Sequence, residues 1–133
     1  MKPLIFAALL ALVSPLVARA DEPAIQGTIE SQIEAFKVDD FAGAFRFASP
    51  NIQRLFQTPD NFGLMVRQGF PMVWRPGRVQ FLELREKRGQ LWQKIMIEDA
   101  QGVFHVLDYQ MIEGPDGWRI NGVEFLGAPQ LGV

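Results

Sequence analysis

The sequence predicts an α+β fold in which N-terminal helices pack on a curved, cone-like four-stranded antiparallel sheet. Three observations carry this. Apolar residues recur at helical spacing up to Arg75-Pro76-Gly77, and beyond it they alternate with polar ones. The connections in the second half are short and contain glycine. Helices followed by strands on tight turns are the pattern of a helical layer covering one face of a meander.

The first twenty residues stand apart from this domain. Lys2 gives a positive start, Pro3 to Ala18 has Ser14 as its one polar side chain, and Ala18-Arg19-Ala20 places small residues on both sides of Arg19. That is the three-part pattern of a secretory signal peptide. Ser14-Pro15 also interrupts the run below the ~20 apolar residues that a spanning helix needs. Cleavage is expected after Ala20, giving a periplasmic or secreted protein whose single domain is residues 21–133. Cleavage removes Lys2 and Arg19 from a chain with 13 basic and 15 acidic side chains, so the mature net charge is -4. An acidic domain with no basic run is a poor partner for nucleic acid or, once the signal is gone, for an anionic membrane. The chain has no cysteine, which removes lipid anchoring through that residue, disulfide staples and thiolate metal sites.

Within the domain, Ile25, Ile29, Ile33 and Phe36 fall on one stripe of a first helix from about Pro23 to Val38. Asp39-Asp40 break it, and Asp40 caps a second helix carrying Phe41, Ala44, Phe45 and Ala48. Ser49-Pro50 and Thr58-Pro59 repeat one start signal, a hydroxyl cap followed by proline, and predict two further short helices. The segment Phe70-Pro71-Met72-Val73-Trp74-Arg75-Pro76 is read as extended because of its prolines. Strands are expected at about Arg78 to Glu86, Leu91 to Glu98, Val103 to Ile112 and Trp118 to Leu126.

The long first helix, short helices and a sheet closing with Gly117-Trp118-Arg119-Ile120-Asn121-Gly122-Val123 resemble the nuclear-transport-factor-two-like superfamily. That superfamily is an α+β cone shared by ketosteroid isomerases, polyketide cyclases and many non-catalytic domains. Four segments are similar to a bacterial family of exported domains of unknown function within it. They are Gln32-Ile33-Glu34-Ala35-Phe36, Asp39-Asp40-Phe41-Ala42-Gly43-Ala44-Phe45, Ala48-Ser49-Pro50-Asn51-Ile52 and the Trp118 strand. The resemblance covers roughly residues 25 to 126 and implies a fold, which by itself assigns no function.

The residues able to carry chemistry are few. His105 is the one imidazole. Alternation groups it with Leu107, Tyr109 and Met111 on one strand face and turns Asp108 to the other. His105 and Tyr109 are therefore a candidate donor pair inside the cone. A serine hydrolase fails: Ser31 lies within a helix and Ser49 is used as a cap. No metal site is expected, because the acidic pairs lack calcium-loop spacing, and no cofactor fingerprint is present. Ketosteroid-isomerase chemistry needs a carboxylate base beside protonated donors, and Asp108 points away from Tyr109, the sole tyrosine.

Aromatic residues at helical spacing, Phe36, Phe41, Phe45, Phe47, Phe56, Phe62 and Phe70, read as core. Met72 and Trp74 are expected at the pocket mouth or as plugs of the core. Trp92 and Met96 share a strand face with Lys94 and Glu98, a patch suited to a homodimer contact. Arg78, Arg85, Lys87 and Arg88 read as charges protecting an edge strand. The expected function is non-catalytic binding of a small apolar ligand or a protein partner, with Met72, Trp74, Trp92 and Met96 as binding residues. The alternative is an isomerase or cyclase using His105 and Tyr109.

Overall fold

The computed structural model describes the backbone of residues 13–127 and side chains from Asp21 onward. Residues 1–12 of the expected signal peptide, and the side chains of 13–20, lie outside this range. The helices are α1 (Val13–Lys37), α2 (Phe41–Arg46), α3 (Pro50–Phe56), α4 (Pro59–Gly69) and α5 (Pro71–Trp74), followed by strands β1 (Val79–Lys87), β2 (Gln90–Glu98), β3 (Phe104–Gly114) and β4 (Gly117–Gly127). Among the described residues no helix is long and apolar enough to cross a membrane.

The first helix starts earlier than its apolar stripe suggests, at Val13, and runs through Pro23. Proline removes one hydrogen bond and clashes with the preceding turn, whereas the alanines and arginine before it favour helix. The stripe itself is as expected: Ile25, Ile29, Ile33 and Phe36 are all buried. The helix ends where Asp39 takes a left-handed φ of 57°, and Asp40 N–H donates back to Ala35 O at 2.8 Å, closing a Schellman-type cap. Side chains of Asp40, Ser49 and Thr58 then accept from the backbone N–H of Gly43, Ile52 and Asn61 at 3.0, 3.2 and 3.1 Å, starting α2, α3 and α4 as the sequence predicts. Helix α4 lies close on α2 because residue 63 is glycine: a Cβ there would sit 2.6 Å from the Phe41 ring.

The Phe70–Pro76 segment is not extended. Residues Pro71–Trp74 form one helical turn with proline at its start. The restriction that proline imposes acts on the residue before it. Phe70 and Arg75 accordingly leave the helical region, at φ,ψ of -136°,56° and -135°,75°, and the turn fits between them.

The four strands form one open antiparallel sheet in the order β1-β2-β3-β4. Ile95, Ile97, Leu107, Tyr109, Met111, Trp118 and Ile120 turn to the helices and join the α1 stripe, Phe62, Val66, Met72 and Val73 in one core. The register shifts between Phe81 and Leu84 in β1, and again at Gln110/Met111, where Asn121 is the extra residue of β4. Such bulges increase twist and re-aim side chains. The helical layer is tied to the sheet by a parallel bridge between Ala48 and Ile120.

The α3–α4 link holds the clearest backbone strain. Gln57 has φ 72° and ψ -41°, and Thr58 N–H donates to Phe56 O at 2.8 Å, the geometry of a strained γ-turn. Gln57→Gly is expected to stabilise the protein by about 1 kcal/mol, because glycine adopts positive φ without steric cost. A urea midpoint that rises at constant m-value would show this. A fall would mean that the glutamine side chain offsets the strain.

Candidate functional site

The helical layer does not close completely over the sheet. A cavity of ≈ 270 Å³ lies between α1, α3, α4 and the β3–β4 pair. Its walls come from Gln32 and Phe36 of α1, Ile52, Leu55 and Phe56 of α3, and Phe62, Met65 and Val66 of α4, with Phe70, Val73 and Ala48 beside them. The sheet supplies Tyr109, Ile120, Gly122 and Val123. Among the described residues no charged side chain takes part. The Asn121 bulge shapes this floor, and its amide links the two layers. Ser49 Oγ donates to Asn121 Oδ1 at 2.7 Å, and Asn121 Nδ2 donates to Gln110 Oε1 at 2.9 Å.

Two polar side chains interrupt the apolar wall. Gln32 is buried and donates through Nε2 to Ala44 O at 3.1 Å, which fixes its amide. Tyr109 is 1% exposed, and its hydroxyl has no hydrogen-bond partner among the described residues. Burial pushes the Tyr109 pKa upward, so the group stays protonated and is a hydrogen-bond donor. Tyr109→Phe is therefore expected to stabilise the protein by about 1–2 kcal/mol, since it removes a buried unpaired hydroxyl while leaving the ring. Chemical denaturation checks this, and a clear loss of stability would mean that the hydroxyl is paired.

The α3 wall is the least anchored. None of its residues is buried, and Leu55 is 69% exposed. On the sheet side, Phe70 stacks on the half-exposed Phe125 at 4.9 Å between centroids and 7° between planes.

The residues singled out from the sequence fall in five places. Tyr109 is in the cavity wall, but His105 is not: its Nε2 lies 2.8 Å from Asp99 Oδ2. Asp99 also accepts from Gln101 N–H and Val103 N–H, both at 2.9 Å, so its carboxylate organises the β2–β3 turn. The hydrogen bond to His105, followed by those from the turn, holds the Asp99 carboxyl below its usual range. No hydrogen bond joins His105 to Tyr109, since the tyrosine hydroxyl has no partner.

Met72 is buried in the core without lining the cavity. Trp74 is half-buried at the surface, donates from Nε1 to Asp39 Oδ1 at 2.9 Å, and carries the Arg75 guanidinium 4.0 Å over its ring. Trp92 and Met96 are on the far face of the sheet. The exposed Trp92 patch expected there does not exist: Trp92 is 4% exposed, and Lys87 Nζ stands 4.4 Å above its ring. Lysine stems cover apolar surface readily while the ammonium stays wet.

That far face holds an arrangement the sequence did not reveal. Asp108, fully buried, accepts from both Arg85 guanidinium nitrogens at 2.8 Å and from Lys87 Nζ at 2.9 Å. Arg85 and Lys87, expected to protect the edge of the sheet, both reach across β2 to the third strand. Strand alternation put Asp108 on this face, but only the register could supply its partners. The cavity was missed for a similar reason. Its phenylalanines carry the helical spacing of a filled core, and the gap between them is set by how α3 meets β4.

No curated protein and no solved structure matches the chain. The model of one family, described as a domain of unknown function (DUF4864), matches residues 18–133. With nearly the whole length covered, the chain belongs to this family of domains of unknown function.

Proposed function

We propose that the protein is a non-catalytic binding domain that takes a small apolar ligand into the cavity beside Tyr109. One observation carries this: a space of ≈ 270 Å³ whose wall, among the described residues, is almost wholly apolar and carries no charge. Sites for small molecules are concave, mostly apolar and set with a few polar groups. The enzyme alternative has less support, because His105 is engaged by Asp99 away from the cavity and Tyr109 lacks an acid or base. The homodimer reading loses its main support with Trp92 covered by Lys87.

The cone-like nuclear-transport-factor-two-like fold belongs to this proposal, on the order of elements and the bulged strands. So does export. Cleavage after Ala20 would leave Pro23 in the first turn of α1, where its missing N–H costs nothing. The ligand would then be met in the periplasm or outside the cell.

Indane, a neutral hydrocarbon of suitable size, tests the binding reading. Added to the protein, it is expected to shift the NMR methyl signals of Ile52, Val66 and Ile120. Ala48→Leu, which puts extra carbons into the wall, should weaken binding at least about tenfold, while the amide spectrum stays folded. Ligand should also slow hydrogen exchange in α3, a helix with no buried residue. Shifts confined to other residues, or binding unaffected by Ala48→Leu, would refute the reading.

A further inference from the structure

We propose that the chain covers the mouth of its own cavity with residues 128–133, laying Leu131 against Phe70 and Phe125, and that a ligand enters when this segment lifts. The second half rests on the binding reading above and adds to it a means of regulating access.

Apolar side chains left open to solvent mark the mouth. Leu55 lines the cavity yet is 69% exposed, so it stands at the opening. Phe70 lines the cavity as well and stacks on Phe125, which is 50% exposed. Large apolar groups gathered around one opening mark a surface that takes a cover.

What the chain places next to this surface is its own continuation. Strand β4 is an edge of the sheet, supplies Gly122 and Val123 to the cavity wall, and runs on through Phe125 to Gly127. Gly127 has a φ of 91°, which lets the backbone leave the strand direction just past the Phe70–Phe125 stack. The residues that follow, Ala128-Pro129-Gln130-Leu131-Gly132-Val133, lie outside the described range. Leu131 is four residues beyond Gly127, a reach of about 13 Å when extended. The Phe125 and Phe70 ring centroids are 4.9 Å apart, so both rings are within that reach of the strand end.

The chemistry of the segment matches the surface. It carries no charge, and neither does the cavity wall among the described residues, so the cover strands no ion away from water. Leu131 and Val133 fall on one side of an extended segment, with Gln130 and Gly132 on the other. Pro129 restricts its own backbone and that of Ala128, which lowers the entropy lost on docking. The family match continues through these residues. Tethering selects this occupant over a second copy: a segment on so short a link has an effective concentration on the order of millimolar, far above that of the protein in a dilute sample.

NMR of the full chain, dilute and without ligand, tests the cover directly. Nuclear Overhauser effects are expected from the Leu131 methyls to the Phe70 and Phe125 rings, unchanged on dilution. Leu131→Asp should abolish the contacts and tighten indane binding about fivefold, the gain expected if the mouth is open in about one molecule in five. Leu131→Met should keep wild-type behaviour in both respects. Absent contacts, contacts that arise between differently labelled copies and fade on dilution, or an indane affinity unmoved by Leu131→Asp would overturn the proposal; the binding reading survives each of these as long as Ile52, Val66 and Ile120 still report ligand. If the contacts are present but indane binds neither the wild type nor Leu131→Asp, the binding reading fails and takes the regulatory half of the proposal with it, while the covering contact stands.

Discussion

Phe62→Ala is expected to destabilise the protein by about 3–5 kcal/mol. Phe62 is 5% exposed and is the hub of the aromatic layer, with ring centroids 5.9 Å from Phe36, 5.3 Å from Phe45 and 5.9 Å from Phe56. It therefore joins α1, α2, α3 and α4 at one point, and each aromatic pair adds about 0.5–1.5 kcal/mol beyond the area buried. Because Phe62 also lines the cavity, its removal would enlarge an existing space. How far the space shrinks again depends on α3, which has no buried residue to resist inward movement. Urea denaturation at constant m-value measures the loss. Against a total of about 5–15 kcal/mol for a domain, the variant should remain folded with a much lower midpoint. Phe125→Ala is the control: with half its surface exposed and a single aromatic partner, it should cost far less. A loss below about 1.5 kcal/mol for Phe62→Ala would show that α3 collapses into the space, which would also weaken the case for a persistent cavity.

This layer shows where sequence reasoning works and where it stops. Ile25, Ile29, Ile33 and Phe36 announce a buried helix face because their spacing is a property of one helix. Asp40, Ser49 and Thr58 announce helix starts because capping is settled within three residues. The four strands and their order follow from alternation and short turns. The cavity has no such local sign. Phe36, Phe56 and Phe62 have the same spacing whether they fill the core or surround a gap, and the difference lies in how the helices meet the sheet. Likewise Trp92 alternates with polar residues as an exposed patch would, and its cover, Lys87, comes from a different strand. His105 was picked out because it is chemically capable and solitary. Its use is instead set by a turn six residues away, where Asp99 needs a partner.

The far face of the sheet yields the second large effect. Asp108→Ala is expected to cost about 2–3 kcal/mol at pH 7. Removing one member of a buried ion pair typically costs 3–5 kcal/mol, but Arg85 and Lys87 keep 26% and 33% of their side chains exposed and can turn to water. Trp92 would lose its lysine cover in the process. The pH dependence carries the more specific signature. Burial by itself pushes the Asp108 carboxyl up, but the hydrogen bonds from Arg85 and Lys87, and then their charges, outweigh it and hold the pKa below the usual carboxylate value. The folded state thus releases this proton more readily than the unfolded chain, where an aspartate titrates near 3.9. Its stabilisation is complete above the unfolded value and disappears as pH falls through the folded one. Asp39, Glu83 and Asp99 are shifted in the same direction, so the wild type alone will lose stability in acid for several reasons. The difference between wild type and Asp108→Ala isolates the one group. It should be constant from about pH 6 to 8 and narrow as pH drops below about 4. A gap that is the same at pH 3 and pH 7 would show that Asp108 acts by packing and hydrogen bonding, without its charge.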